Sequence, residues 1–230
     1  MKKNLIYLCL FVFTMGCFGS CSDDDDAKDD LVGTWNLKPG SSMDMTWESS
    51  EEIEIAIGGI SMPMATSEVA KLAANYGSTL LPGKLKSITF KDNNKLEATY
   101  MDSNTENWVT AVYGTYKVVS STKINFSPDV DKLLEGVEGI DNATMIAIKA
   151  LAVKGVPVHY TLGDNLNDAH FYLNTSTIKE MKPLFTLLAA SMSGDDAQGA
   201  MIKSIIEKLP TVLDNTDKIE IGLNFAKAAN

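Results

Sequence analysis

The feature that most restricts this chain is an alternation of apolar and polar side chains, two residues in period, that recurs along its length. Leu31, Gly33, Trp35 and Leu37 fall on one face of an extended segment, with Val32, Thr34 and Asn36 on the other. The same period returns at Met43/Met45/Trp47, Ile53/Ile55/Ile57, Ile88/Phe90, Leu96/Ala98/Tyr100, Tyr116/Val118 and Ile124/Phe126. It continues at Val156/Val158/Tyr160/Leu162, Ala169/Phe171/Leu173 and Ile219/Ile221/Leu223/Phe225. Successive side chains on a strand point to opposite faces, so this period specifies half-buried β-strands. Short polar connections such as Asp92-Asn93-Asn94 and Ser120-Ser121 predict hairpins, and with them an antiparallel meander. A long meander leaves two open edges, and closing the sheet on itself removes them. The expected fold is mainly β with helical insertions: a closed antiparallel barrel of about eight to ten strands, with a helical hairpin before the last strand.

Three segments break the alternation. Residues 66–76, ahead of Gly77, have helical character. Ser127-Pro128 predicts a second helix, a side-chain cap followed by proline at the first helical position, continuing brokenly to Gly155. In the third, Thr177 and Glu180 have the spacing of a capping box, and Ile178, Met181, Leu184, Phe185, Leu188 and Met192 follow at helical spacing around Pro183. After Gly194, Met201, Ile202, Ile205, Ile206, Leu209 and Leu213 form a second stripe. The polar faces of this hairpin are not basic, so packing against the barrel is expected ahead of lying on a membrane.

The first twenty residues are of another kind. Lys2 and Lys3 precede an apolar run over residues 5–18, and Gly19 and Ser20 precede Cys21, the order of a secretory signal. The run is shorter than the roughly 20 residues that span a bilayer and has acids, not bases, after it. Cys17 also follows a small residue, but would leave Phe18 and a second thiol on the mature chain, whereas Cys21 is followed by Ser22 and four aspartates. Cys21 is therefore the expected site of lipid attachment. The chain divides into a lipoprotein signal (1–20), the lipidated cysteine with an acidic, extended tether (21–30) and one β domain (31–230).

Cleavage removes Cys9 and Cys17, and lipid occupies Cys21, so disulfides, thiolate metal sites and a cysteine nucleophile are excluded from the mature chain. The signal also takes two lysines with it, leaving 18 lysines against 30 acids, a net charge of −12. Every basic side chain is lysine. An acidic surface without guanidinium lacks bidentate phosphate recognition and repels nucleic acid, which is excluded as a partner.

The run Cys21 to Asp26, CSDDDD, resembles the start of Bacteroidota lipoproteins, in which acids after the lipidated cysteine direct export to the outer face of the outer membrane. The Gly-x-Trp on the first strand, the meander and the helices before the last strand resemble the lipocalin-like, calycin-type domains of such lipoproteins. In particular they are similar to a small family sharing Leu-x-Gly-Thr-Trp (Leu31, Gly33, Thr34, Trp35), Gly-Thr-Tyr (Gly114, Thr115, Tyr116) and a closing Ile-Gly-Leu (Ile221, Gly222, Leu223), a family without an established function. In lipocalins the strand-one tryptophan packs under an arginine from the far end of the chain. Here Lys227 is the nearest equivalent.

Two constellations are candidates for a site. His159 and His170 are the only histidines. Pairing Val158 with Phe171 would set them opposite one another, beside Thr161 and Asp168, as metal candidates on an outer face that otherwise reads as a solvated polar row. Trp47, Tyr100, Trp108 and Tyr113 fall on strands, where aromatic side chains either line a ligand-holding barrel mouth or fill a core. Glu51, Glu52, Glu54, Asp195 and Asp196 have the placement of solvated acids and caps. No nucleophile–histidine–acid set and no glycine-rich phosphate loop is present, and no cofactor is specified. The expectation is a non-enzymatic, lipid-anchored protein of the outer membrane, exposed at the cell surface and binding a small apolar ligand in its barrel. The alternative is a structural or interaction module that docks an envelope or host protein through its outer surface; a metal-dependent hydrolase depends wholly on the two histidines.

Overall fold

The computed structural model describes residues 25–57, 60–102, 105–133, 142–182, 184–185 and 197–229, so the signal and Cys21 lie outside the described residues. A short helix, α1 (Asp25–Leu31), leads into strand β1 (Gly33–Leu37). Then come β2 (Met43–Ser49), β3 (Glu52–Ile57), β4 (Ile60–Ala65), helix α2 (Thr66–Leu80), β5 (Leu85–Phe90), β6 (Lys95–Asp102), β7 (Asn107–Ser120) and β8 (Lys123–Pro128). Helices α3 (Val130–Leu133) and α4 (Asn142–Lys154) precede β9 (Val156–Leu162) and β10 (Asp168–Leu173). Helices α5 (Thr175–Glu180) and α6 (Ala197–Val212) precede β11 (Thr216–Lys227).

Eight strands in the order β1-β5-β6-β7-β8-β9-β10-β11 form an antiparallel barrel closed by the pairing of β1 with β11. The expected closed, mainly β fold with helical insertions is the observed one. Two alternating runs are not staves of the closed barrel. β2 resumes the path of β1 along the same side of β11, with Leu37 opposite Phe225, Met43 opposite Leu223 and Ser49 opposite Thr216. The Asn224 backbone spans the break: its carbonyl accepts from Lys38 N–H and its own N–H donates to Ser42, each at 2.9 Å. Ile53 and Ile55 belong to a separate two-stranded hairpin, β3–β4, against which α6 packs. A period of two fixes which side chains share a face; it does not say which sheet the strand joins.

Helix α2 ties itself to β2 at both ends. Thr66 donates to the Trp47 carbonyl at 3.2 Å, while the Ser78 hydroxyl accepts from Met43 N–H at 3.0 Å and donates to its carbonyl at 3.1 Å. β2 ends the sheet order, so these bonds satisfy backbone groups that an edge strand would leave open. α2 continues through Gly77, where the sequence suggested a stop, because the bare glycine faces Met43: a Cβ there would lie 2.2 Å from the methionine sulfur.

Other helix starts also differ from expectation. Ser127 and Pro128 close β8, and Asp129 caps α3 by accepting from Lys132 N–H at 3.3 Å. Asn174, not Thr177, caps α5, accepting from Thr177 N–H at 3.1 Å. Glu180 pairs instead with Lys154 of α4 at 2.7 Å. The segment expected to be extended tether is in part α1, whose Leu31 is fully buried. Residues 186–196, which include Leu188 and Met192 of the expected helix and Gly194 at the expected turn, lie outside the described residues.

The core sits inside the barrel, and Phe171 is its hub. Its ring stacks on Phe90 (5.3 Å between centroids), meets Phe225 edge-on (5.7 Å) and lies beside Tyr160 (5.9 Å) and Trp35 (6.3 Å). The Tyr116 hydroxyl donates to the Lys91 carbonyl at 2.7 Å and so holds the β5–β6 turn; burial, then the charge of Asp92, pushes this phenol up to about 12. Gly114 precedes it at a bulge in β7, where a Cβ would sit 2.2 Å from the Ser127 carbonyl oxygen. Backbone cannot yield there, which explains the glycine of Gly-Thr-Tyr.

Candidate functional site

Strand β1 carries the first site residue, Trp35, fully buried at the barrel floor. Its indole N–H donates to the Leu31 carbonyl at 2.8 Å, and the Lys227 ammonium stands 5.1 Å from its ring centre while donating to the Asp30 carbonyl at 2.9 Å. One cation thus covers the indole face and caps the carbonyl end of α1. This cluster closes one rim of the barrel and is structural.

The four candidate aromatics do not converge. Trp47 is buried where β2 meets α2, its indole N–H donating to the Thr216 hydroxyl at 2.9 Å. Tyr100 and Tyr113 are buried on neighbouring strands with rings edge to face at 5.3 Å. Trp108 is 40% exposed at the start of β7. Inside the barrel, Leu85, Phe90, Phe126, Val158, Phe171 and Phe225 are among the side chains around a cavity of about 50 Å³. Ligand pockets run to roughly 300–1,000 Å³, so this apolar-lined void is several-fold smaller than a typical ligand site.

The histidines occupy the outer face, as expected, but in a different register. The β9–β10 hairpin pairs Tyr160 with Phe171, so His159 faces Tyr172 and His170 faces Thr161. Every pair is offset by two from that register, with Leu162 opposite Ala169 and Gly163 N–H bonded to the Asp168 carbonyl at 2.8 Å. A shift of two keeps each side chain on its face and changes every partner. Tyr172 stands between the imidazoles, its ring stacked 5.4 Å from His159 and 5.1 Å from His170. The two histidines do not meet at a metal-sized site, and no cluster of three ligating side chains occurs among the described residues.

Lys123, His159, Tyr172, Gly222 and Asp44 form one row across five strands. Gly222 leaves a notch in it, since a Cβ would lie 1.9 Å from His170 Nε2. Through that notch His170 reaches Asp44 at 3.1 Å, and Asn224 donates to the same carboxylate at 3.0 Å. The His170 hydrogen bond, opposed by burial, holds the Asp44 carboxyl below its ordinary value. No sequence signal pointed to this pair, because 126 positions separate its members. At the other end of the row the capping role of Asn174 aims its oxygen at α5 and its NH₂ at His159 Nε2, 3.0 Å away. That nitrogen must accept, so His159 is neutral there; burial first, then Lys123, holds its pKa below the usual value, against the pull of Glu220. The hydrogen-bond partners of the two imidazoles are thus a carboxylate, Asp44, and an amide, Asn174.

No family model, no curated protein and no solved structure matches this chain.

Proposed function

We propose that the chain is a non-enzymatic, lipid-anchored protein of the outer membrane whose barrel is a filled scaffold, acting by contact with a protein partner through its outer surface. The observation that carries this reading is the packed interior: Phe171 and the rings around it are buried against one another, and the cavity among them measures about 50 Å³. The sequence supports the anchor, with a signal over residues 1–20 ending at Cys21 and acids after it. Exposed large apolar side chains at Met62, Leu80, Trp108, Ile146 and Val153 supply the outer surface with contact area of the kind partner interfaces use. The almost entirely apolar lining of the small cavity favours a second reading, a small apolar ligand, which would need several-fold more room than this cavity provides.

Native mass spectrometry of protein extracted from its own membranes separates the two. The mass before denaturation is expected to be that of the acylated chain, alone or in a fixed ratio with a second protein. Release of a small molecule on denaturation would replace the scaffold reading with ligand carriage.

A further inference from the structure

We infer that the rim closed by α1 is the face apposed to the headgroups of the anchoring bilayer, and that α2, α4 and the β3–β4 hairpin point away from it. The inference rests on acylation at Cys21 and adds an orientation to it. Only Ser22, Asp23 and Asp24 separate that cysteine from α1, and four Cα steps reach at most about 14 Å. The short reach begins at the barrel itself, because α1 is tied to the floor. Leu31 is fully buried, Trp35 bonds the Leu31 carbonyl and Lys227 bonds that of Asp30. β11 runs from this rim at Lys227 to Thr216, 12 residues or about 35 Å along the strand, and Ser49 at the end of β2 pairs with Thr216.

The two rims also differ in chemistry. The turns beside α1 expose Asp92, Asn93, Asn94, Asp164, Asn165 and Asn167, hydrated groups that sit at a headgroup surface and do not enter it. Among the described residues Leu166 is the one exposed large apolar side chain there. The other five belong to β4, α2, β7 and α4, on the side left free for a partner.

The test uses the full chain processed through its own signal and reconstituted in phosphatidylethanolamine/phosphatidylglycerol vesicles doped with a headgroup nitroxide lipid. Asp164→Cys places a fluorophore at the α1 rim and Lys84→Cys places one at the far end of β5; both positions are exposed. The Asp164 probe is expected to lose at least half its emission to the nitroxide and the Lys84 probe less than a tenth. Equal quenching, or the reverse order, overturns the orientation. Mass analysis of the Cys21 peptide from the same vesicles reports acylation separately: an unmodified cysteine removes the anchor, whereas an acylated one with reversed quenching removes only the orientation.

Discussion

At the scale of single residues, Gly222 and His159 decide what the outer face can do. Gly222 is buried by the imidazole that crosses it, so Gly222→Ala drives His170 off Asp44. We expect a loss of about 1 kcal/mol, the worth of one hydrogen bond, in the native background and none or a slight gain in the His170→Ala background. A double-mutant cycle by urea unfolding measures this, and additive effects would disprove the notch. His159 gives a pH dependence whose sign follows from its lowered pKa. The unfolded imidazole takes up a proton below about pH 6.5 before the folded one does, so stability is full above that pH and falls as acid approaches the folded value. The urea midpoint should drop from pH 7.5 to 5.5, and His159→Gln should flatten the drop; an unchanged slope would assign it elsewhere. Both histidines were legible in the sequence as one outer face. Their partners were not: Asn174 is bound by its capping duty, and Asp44 arrives from another part of the chain.

At the scale of elements, strands were readable and helix ends were not. A strand's two faces follow from local geometry, and the burial of β6, β8, β9 and β10 alternates as the sequence foretold, while in β11 the buried Gly222 interrupts it. Helix caps depend on which of several eligible polar side chains the preceding strand delivers to the free N–H groups. β10 ends at Leu173 and places Asn174 there, three residues before the Thr177–Glu180 pair that matches a capping box. Asn174→Ala should therefore cost about 1 kcal/mol in chemical denaturation. Glu180→Gln, which removes an exposed ion pair, should cost less than about 0.5 kcal/mol. The opposite ranking would restore the capping box. β3 had the same alternation as the barrel strands, and its separation arose from pairing with β4, a strand the sequence reading did not include.

For the whole molecule the decisive contact is the one that joins the chain's two ends, Lys227 against Trp35 and α1. Lys227→Met keeps the aliphatic stem but removes both the cation over the indole and the bond to Asp30, so a loss of about 1–2 kcal/mol is expected in urea unfolding, with Lys227→Arg retaining most of it. A silent Lys227→Met would show that α1 docks through Leu31 alone. By itself the sequence determined that the chain alternates as strands, that closure was the economical way to satisfy them, and which side chains face inward. These are consequences of strand geometry and apolar burial, both legible over a few residues. Only the tertiary structure decided that β1 meets β11, that β2 extends the sheet instead of closing it, that Phe171 fills the interior and that His170 reaches Asp44 over Gly222. Register and partner choice are set by contacts between residues far apart in the chain, and a period of two is satisfied equally well by every pairing shifted by two.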